Sequence, residues 1–521
     1  MRNFKILFIL ISGLALFSAS SCKKNDSVQK ESDLIKMDST KTTAFFAKYP
    51  DFKPFQKQIG ELYEKRDNNY VWYDKDGRID FAEVLYNKVN QIGADGIITP
   101  FPYKKQIDAV FAQSENKKEN TENELLISSM YFYYTKKVYE GVDTKKSKSL
   151  GWFLPRENVS YVSYLDTLMK DPDLIKKDES ELIGQYYNLK KGLQIYRNIQ
   201  KNGGWGTITL AEGTKSIKPN ESNAAVAQLR KRLVFSGDLK NDSGSMVFDK
   251  ELQEALANYE KRHNMVPDNL ITPSIVKHLN VTVEERIKTI IVNMERCRWI
   301  TPDITDSKEL IAVNIPSYTL NYYRDGKPVL TSNVVVGKDV NKTVVFSGQM
   351  SYLVFSPYWN IPPSIIKKEI KPAMDKDPDY LAKHNMEWNN GQVRQKPGPE
   401  NSLGLVKFMF PNSNNIYLHD SPAKALFNKE SRAFSHGCIR VQKARELAIK
   451  ILDSDKNWSA DKIDAAMKSG TEKNYSLKRK IPVYIAYFTA RADANGNLSF
   501  FEDIYNRDNR LAHLLYNDAL K

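Results

Sequence analysis

The sequence predicts an α+β multidomain chain: a mainly helical scaffold, a three-helix module, and a β-rich domain interrupted by a long insertion. Three observations point there. A chain of 521 residues exceeds what one hydrophobic core serves, so several domains are expected. Between about residues 49 and 218 apolar residues recur at spacings of three and four, the period of amphipathic helices. From about residue 309 the pattern changes to alternation, the period of strands. With 41% hydrophobic and 11% aromatic residues and a mean hydropathy of -0.52, the composition is that of packed cores, not of a disordered chain or a multi-span membrane protein.

The opening stretch "MRNFKILFILISGLALFSASSC" has Arg2 and Lys5, an apolar run from Ile6 to Phe17, and small residues Ala19, Ser20 and Ser21 before Cys22. It reads as an export signal over residues 1–21, too short for a spanning helix. Its end is similar to a bacterial lipobox, with Ala19 where leucine is commoner, so Cys22 is expected to carry a lipid that anchors the chain to a membrane. Simple cleavage is the alternative. Removing residues 1–21 takes away two cations and no acid, so the net charge of +14 becomes +12. A basic protein on the periplasmic side of the envelope suits an acidic polymer such as the carboxylate-bearing cell wall, and no nucleic acid is expected as a partner.

Residues 22–48 are polar and suit a flexible tether. The helical scaffold, residues 49–218, contains "IDFAEVLYNKVNQIG", "ELLISSMYFYYTKKVYEG" and "ELIGQYYNLKKGLQIYRNIQ", whose aromatic stripes read as core, and it closes at the breaker "NGGWGTI". Residues 219–282 read as three short helices, the second capped by Asp249 and the third by Thr272 ahead of Pro273. A connecting helix over 283–308 follows, and then the β-rich domain, 309–488. There "ELIAVNIPSYTLNYYRDGKPVLTSNVVVG" reads as two strands joined through the turn "RDGK". The insertion over about 359–402 carries helical fragments, prolines and charges, as a lid or decorated loop does. Residues 489–521 are expected to be a C-terminal tail.

Chemistry concentrates in "FSHGCIRV", Phe434 to Val441, which presses together one of three cysteines and one of six histidines. A thiol needs deprotonation to act as a nucleophile, and histidine is the usual partner. His436, two residues before Cys438, would face the same way on an extended segment; His419, on the strand-like "IYLHD", would sit opposite on a returning chain. Spacing alone does not choose between them. Gly437 permits close approach of backbone to substrate, N–H groups near the thiol suit an oxyanion hole, and Arg440 suits a carboxylate. Cys297 lies in a helix-like stretch; pairing with Cys438 as a disulfide is the alternative reading for both, and the ligands for a zinc site are lacking.

The stretch "YLHDSPAKALFNKESRAFSHGCIRV" resembles the active-site signature of the YkuD-type L,D-transpeptidases: a histidine, a variable loop, Ser-His-Gly-Cys, and an arginine two places on. "NMERCRW", "VVVGK", "SPYWNIPPSI" and "NSLGLVKFMFPN" are similar as well, and residues 219–282 resemble a peptidoglycan-binding domain through Leu229, Leu233, "SGDL", Phe248, Tyr259 and "PDNLITPS". Together these resemble the family's large subclass, with helical scaffold, wall-binding module and catalytic domain under a capping insertion. The resemblance implies Cys438 as nucleophile, His419 as its base, Asp420 orienting the imidazole through its backbone carbonyl, and His436 in support. It further implies oxyanion N–H groups from Gly437 and Cys438, and substrate contacts from Arg440, Ser435, Tyr417 and Trp359. The implied reaction is acyl transfer between peptidoglycan stem peptides, forming 3→3 cross-links through a thioester, with no metal and no cofactor. Hydrolysis by the same pair, as a carboxypeptidase or endopeptidase, and a non-catalytic wall anchor are the alternatives. One departure is "TAR" at Thr489 to Arg491, where the family has "TAW".

Overall fold

Helices form where the apolar period sets them, and their ends carry the expected caps. A computed structural model describes residues 34–112, 120–156, 159–170, 182–304 and 307–517. The export signal and Cys22 lie outside the described residues. In the scaffold, helices Asp80–Asn90, Thr121–Thr135 and Gly184–Lys201 bury the aromatic stripes as core. Glu124 is fully buried there, and its carboxylate accepts from the Val71 and Trp72 N–H groups and the Tyr63 hydroxyl. Among the described residues no helix is long and apolar enough to cross a membrane.

The three-helix module has helices Ala224–Phe235, Lys250–Arg262 and Pro273–Leu279 around a core of its own that includes Leu229, Leu233, Phe248, Leu252 and Leu279. Asp249 caps the second helix through the Leu252 N–H, and Thr272 caps the third through the Ile275 N–H. A capping box of Thr282 and Glu285 then starts the connecting helix Val283–Cys297. That helix is buried on nearly every face because scaffold and C-terminal segment both pack on it: Arg298 donates to the Val138 and Asp95 carbonyls, and Asn293 bonds Thr489. Cys297 is buried in it as a free thiol whose pKa burial pushes up.

Nine strands build the β-rich domain: β1 Glu309–Asn314, β2 Thr319–Arg324, β3 Lys327–Gly337, β4 Phe346–Phe355, β5 Val406–Met409, β6 Leu418–His419, β7 Ala433–Ser435, β8 Ile439–Val441 and β9 Lys473–Ala486. Their order is β7-β3-β8-β6-β5-β4-β9-β1-β2, and β2 pairs back onto β3, so the sheet closes on itself. Closure leaves β7, which pairs with β3 alone, at an edge. Between β4 and β5 the insertion folds as a small unit, with a three-stranded sheet (Trp359–Asn360, Met386–Asn389, Gln392–Gln395) and helical turns over Pro363–Lys376. It has a core of its own in Ile361, Ile365, Ile370 and Val393.

Three expectations are corrected. The segment read as two strands forms three, because the chain also reverses at Ile315–Tyr318, where Tyr318 N–H bonds the Ile315 carbonyl. The tether is shorter than expected: helix Thr42–Lys48 buries Phe45 and Phe46, which polar composition around them masked. The C-terminal segment is no tail. Strands Ala490–Ala492 and Leu498–Phe500 form a hairpin, helix Asp508–Asn517 follows, and Leu498, Phe500, Tyr505 and Leu511 are buried against the connecting helix's side of the core. Thr489 is anchored to Asp508, and Arg491 reaches Gln185, so the "TAR" departure falls at a packing contact.

Candidate active site

Strand register assembles the site. Lys407 on β5 pairs with His419 on β6, and His419 pairs with Arg440 on β8. Paired residues share a face, so Lys407, His419 and Arg440 form a row across three strands. Tyr417 and Cys438 lie two residues back from His419 and Arg440 and are held side by side by the Ile439 N–H, which donates to the Tyr417 carbonyl at 3.2 Å.

His419 is buried, and its Nδ1 lies 2.5 Å from the Asp420 carbonyl, so Nδ1–H is the donor and Nε2 the free acceptor of the ring. Burial, and then the Arg440 guanidinium, lower its pKa to about 3; the Asp420 and Leu403 carbonyls oppose this, and Lys407 adds to it. The ring is neutral at physiological pH. Asp420 is itself fixed: its carboxylate accepts from Leu405 N–H at 3.0 Å and from Lys424 Nζ at 2.6 Å. Gly404 passes so close that a Cβ there would come within 2.5 Å of the Asp420 side chain, and its φ of +64° suits glycine.

The Cys438 thiol is pushed up in pKa by burial, against hydrogen bonding from Tyr417 and the charges of Lys407 and Arg440. Its Sγ sits 3.7 Å from the Asn415 carbonyl and makes no hydrogen bond to His419 in this conformation. Catalytic contacts are often loose before substrate binds.

Gly437 has a φ of +120°, which breaks the extended segment on which His436 and Cys438 were expected to face the same way. His436 turns instead to the insertion, where its Nε2 lies 2.7 Å from Glu369 Oε1. Ser435, expected at the substrate, works inside the loop: its Oγ donates to the Cys438 carbonyl at 2.5 Å and accepts from the Gly437 N–H at 3.1 Å. The Gly437 donor expected at an oxyanion is therefore turned to Ser435. Thr343 Oγ1 holds the Gly437 carbonyl from the other side at 2.9 Å. Trp359 lies on the insertion's sheet, paired with Gln395 and packed on the insertion's core.

Lys407 was missed in the sequence. Its Nζ lies 4.3 Å from the centre of the Tyr417 ring. A lysine inside the otherwise apolar strand "LVKFMFP" was the signal that marked it. Glu369 carried no local signal. Among the described residues no three His, Cys, Asp or Glu side chains gather as a metal would require.

A family model for the YkuD L,D-transpeptidase catalytic domain matches residues 308–472, and one for a Scaffold domain matches residues 57–193. The chain carries a YkuD L,D-transpeptidase catalytic domain. All of the row just described, with Cys438 and the insertion, falls inside that YkuD domain. A curated relative from Haemophilus influenzae, named "Putative L,D-transpeptidase", is 35% identical over 256 residues, which is 45% of this chain and 50% of that protein. The chain thus spans about half the length of the curated relative it matches. Solved structures similar to parts of the chain include an L,D-transpeptidase (Yku) from Stackebrandtia nassauensis, at 13% identity, covering 53% of this chain and 97% of that one with a TM-score of 0.22. Another is an L,D-transpeptidase from Mycobacterium smegmatis, at 12% identity, covering 34% and 58% with a TM-score of 0.21. Overlaps of that size carry no argument about the YkuD domain's site.

Proposed function

We propose that the protein is a peptidoglycan L,D-transpeptidase that forms 3→3 cross-links through an acyl-enzyme on Cys438. The observation that carries this reading is a buried His419, its Nδ1–H held by the Asp420 carbonyl and its pKa lowered to about 3, whose register partner Arg440 lies two residues from the only partly exposed thiol among the described residues. The thiol proton passes to Nε2 as Cys438 rotates from Asn415 toward His419 and sulfur attacks the carbonyl of the third residue of a tetrapeptide stem. The carbon–nitrogen bond to the terminal D-alanine breaks, and the imidazolium returns its proton to the leaving amine. An amine from a second stem then attacks the thioester, gives its proton to His419, and releases the Cys438 thiol. The thioester conserves the free energy of the broken peptide bond, which suits an envelope without ATP.

On the same reading Arg440 holds a substrate carboxylate, Tyr417 and Trp359 flank the cleft, residues 219–282 bind the wall, and a lipid on Cys22 tethers the enzyme. Labelled palmitate on the intact chain, lost in Cys22→Ala, reads the last of these. Incubation with purified tetrapeptide muropeptides tests the activity. Cross-linked dimers that disappear in Cys438→Ala support transfer; tripeptides alone mean that the same pair hydrolyses; product that survives Cys438→Ala overturns the reading.

A further inference from the structure

The row on β5, β6 and β8 holds two cations on either side of the base. Lys407 is half-buried and Arg440 likewise, and burial lowers the pKa of both. Neither donates a hydrogen bond to an acceptor among the described residues, and Arg440 Nε is buried without a partner. The carboxylates near the site are engaged elsewhere, Asp420 by Lys424 and Glu369 by the His436 ring. Glu472, the carboxylate whose charge Lys407 feels, is engaged with the Tyr358 N–H at 2.7 Å. Elsewhere in the chain the half-buried and buried cations Lys190 and Arg298 have carboxylates at 2.5 and 3.1 Å. Lys407 has only the face of the Tyr417 ring; a desolvated cation with neither counter-charge nor hydrogen-bond acceptor is unfavourable, so two of them flanking His419 suit an anion from outside the chain.

We propose that Lys407 is a carboxylate-binding residue of the site, completing with Arg440 a two-cation subsite that straddles His419 and receives the carboxylates of an acidic peptide. The proposal rests on the acyl-transfer reading for its substrate but not for its geometry. It also gives the row a purpose beyond binding. Two cations beside the imidazole disfavour its protonation, which is the state the thiol's proton transfer must create. A carboxylate seated on Lys407 cancels part of that field at His419, so docking of the acidic stem raises the proton affinity of the imidazole, while the Arg440 guanidinium continues to favour the Cys438 thiolate.

Of the carboxylates of a donor stem, two lie on the residues that flank the scissile bond, the C-terminal one of the leaving D-alanine and the one on the diamino acid. Donor stems in three forms separate them: free acid, C-terminal amide, and diamino-acid amide. With the wild-type enzyme one amide is expected to raise KM by about 10-fold or more, the range of a lost charge-assisted hydrogen bond. Lys407→Met is expected to raise KM for the free acid by a similar factor and to abolish the penalty for that amide, while Lys407→Arg keeps the preference. A Lys407→Met enzyme that retains the wild-type preference between acid and amide overturns the proposal. So does a wild-type enzyme indifferent to both amides, an outcome that needs no variant to fold. Equilibrium binding of the three stems to Cys438→Ser separates the two readings. Carboxylate-dependent binding without product from the wild type leaves the subsite standing and removes the acyl transfer. Product without carboxylate dependence removes the subsite alone.

Discussion

Two regions of this chain bury histidines among arginines, and they do opposite things with them. In the three-helix module His263 stacks on Tyr259 with ring centres 4.0 Å apart and bonds its carbonyl, and His278 lies 2.9 Å from the Tyr259 hydroxyl. The arginines around them all reach acceptors: Arg286 the His278 carbonyl, Arg232 the Leu279 carbonyl, Arg262 the Asp238 carboxylate. Arg286 also lies over Phe500, which ties the module to the C-terminal hairpin. Burial, then Arg286, lowers the His278 pKa to about 2, and burial takes His263 well below its ordinary value. His419 has the same depressed imidazole, yet its flanking cations reach no acceptor and a thiol stands beside it. A neutral buried histidine beside arginine is therefore no mark of catalysis. Arg232 Nη1 and Arg286 Nε are themselves buried without a partner, so what separates the site from the joint is that each arginine of the joint donates to at least one carbonyl or carboxylate, whereas the Lys407 and Arg440 side chains donate to none among the described residues.

The largest expected effect breaks the comparison in rate. His419→Gln removes the proton acceptor and is expected to lower turnover about 10²- to 10⁴-fold, the usual range for a general base. His278→Gln is expected to leave turnover per folded molecule within about 2-fold while lowering stability by about 1–3 kcal/mol, through lost hydrogen bonds and packing. Muropeptide turnover and a denaturant midpoint on both variants check this. Comparable losses of turnover would mean that the module's joint and the catalytic row act as one unit.

The next effect is one the two regions share. An imidazole held near pKa 3 when folded and about 6.5 when unfolded binds fewer protons in the native state throughout that interval. Stability from His419, His278 and His263 is thus fully present above about pH 6.5 and is lost as pH falls toward the folded values. At pH 4.5, two units below the unfolded value, each of His419 and His278 is expected to cost roughly 2–3 kcal/mol. Urea midpoints at pH 7 and 4.5 measure the fall, and His278→Gln should flatten it. An unchanged slope in that variant would mean that the joint opens to water before its histidine charges.

How much of this was legible in the sequence depends on how local each contact is. Cys438 and Gly437 lie within five residues of each other and of His436, so their clustering was visible as a string; the choice of His419 over His436 was visible only through resemblance. The structure adds the reason that spacing could not decide, the φ of +120° at Gly437, which sends His436 to the insertion. Lys407 entered the row through strand register, which sets it beside residues 12 and 33 positions away; the lysine in an apolar strand marked the residue itself but not these neighbours. The helices of scaffold and module were legible because their period and caps are local. The C-terminal hairpin was not, because its role is to cover a helix some 200 residues earlier, a contact such as Asn293 to Thr489 at 196 positions.

The smallest expected effect concerns the insertion's grip on the site. Glu369 and His436 are 49% and 34% exposed, so their contact is worth little in free energy, about 0–1 kcal/mol by the usual measure of exposed pairs. Glu369→Gln should therefore change turnover less than about 5-fold. The informative quantity is the ratio of cross-linked dimer to tripeptide. If the insertion keeps water from the thioester, loosening it shifts that ratio toward hydrolysis while the rate of D-alanine release stays nearly constant. A ratio that stays fixed while release slows would move Glu369 from the lid to the first half-reaction, alongside the buried row, and would erase the contrast between an exposed cap and a desolvated sheet.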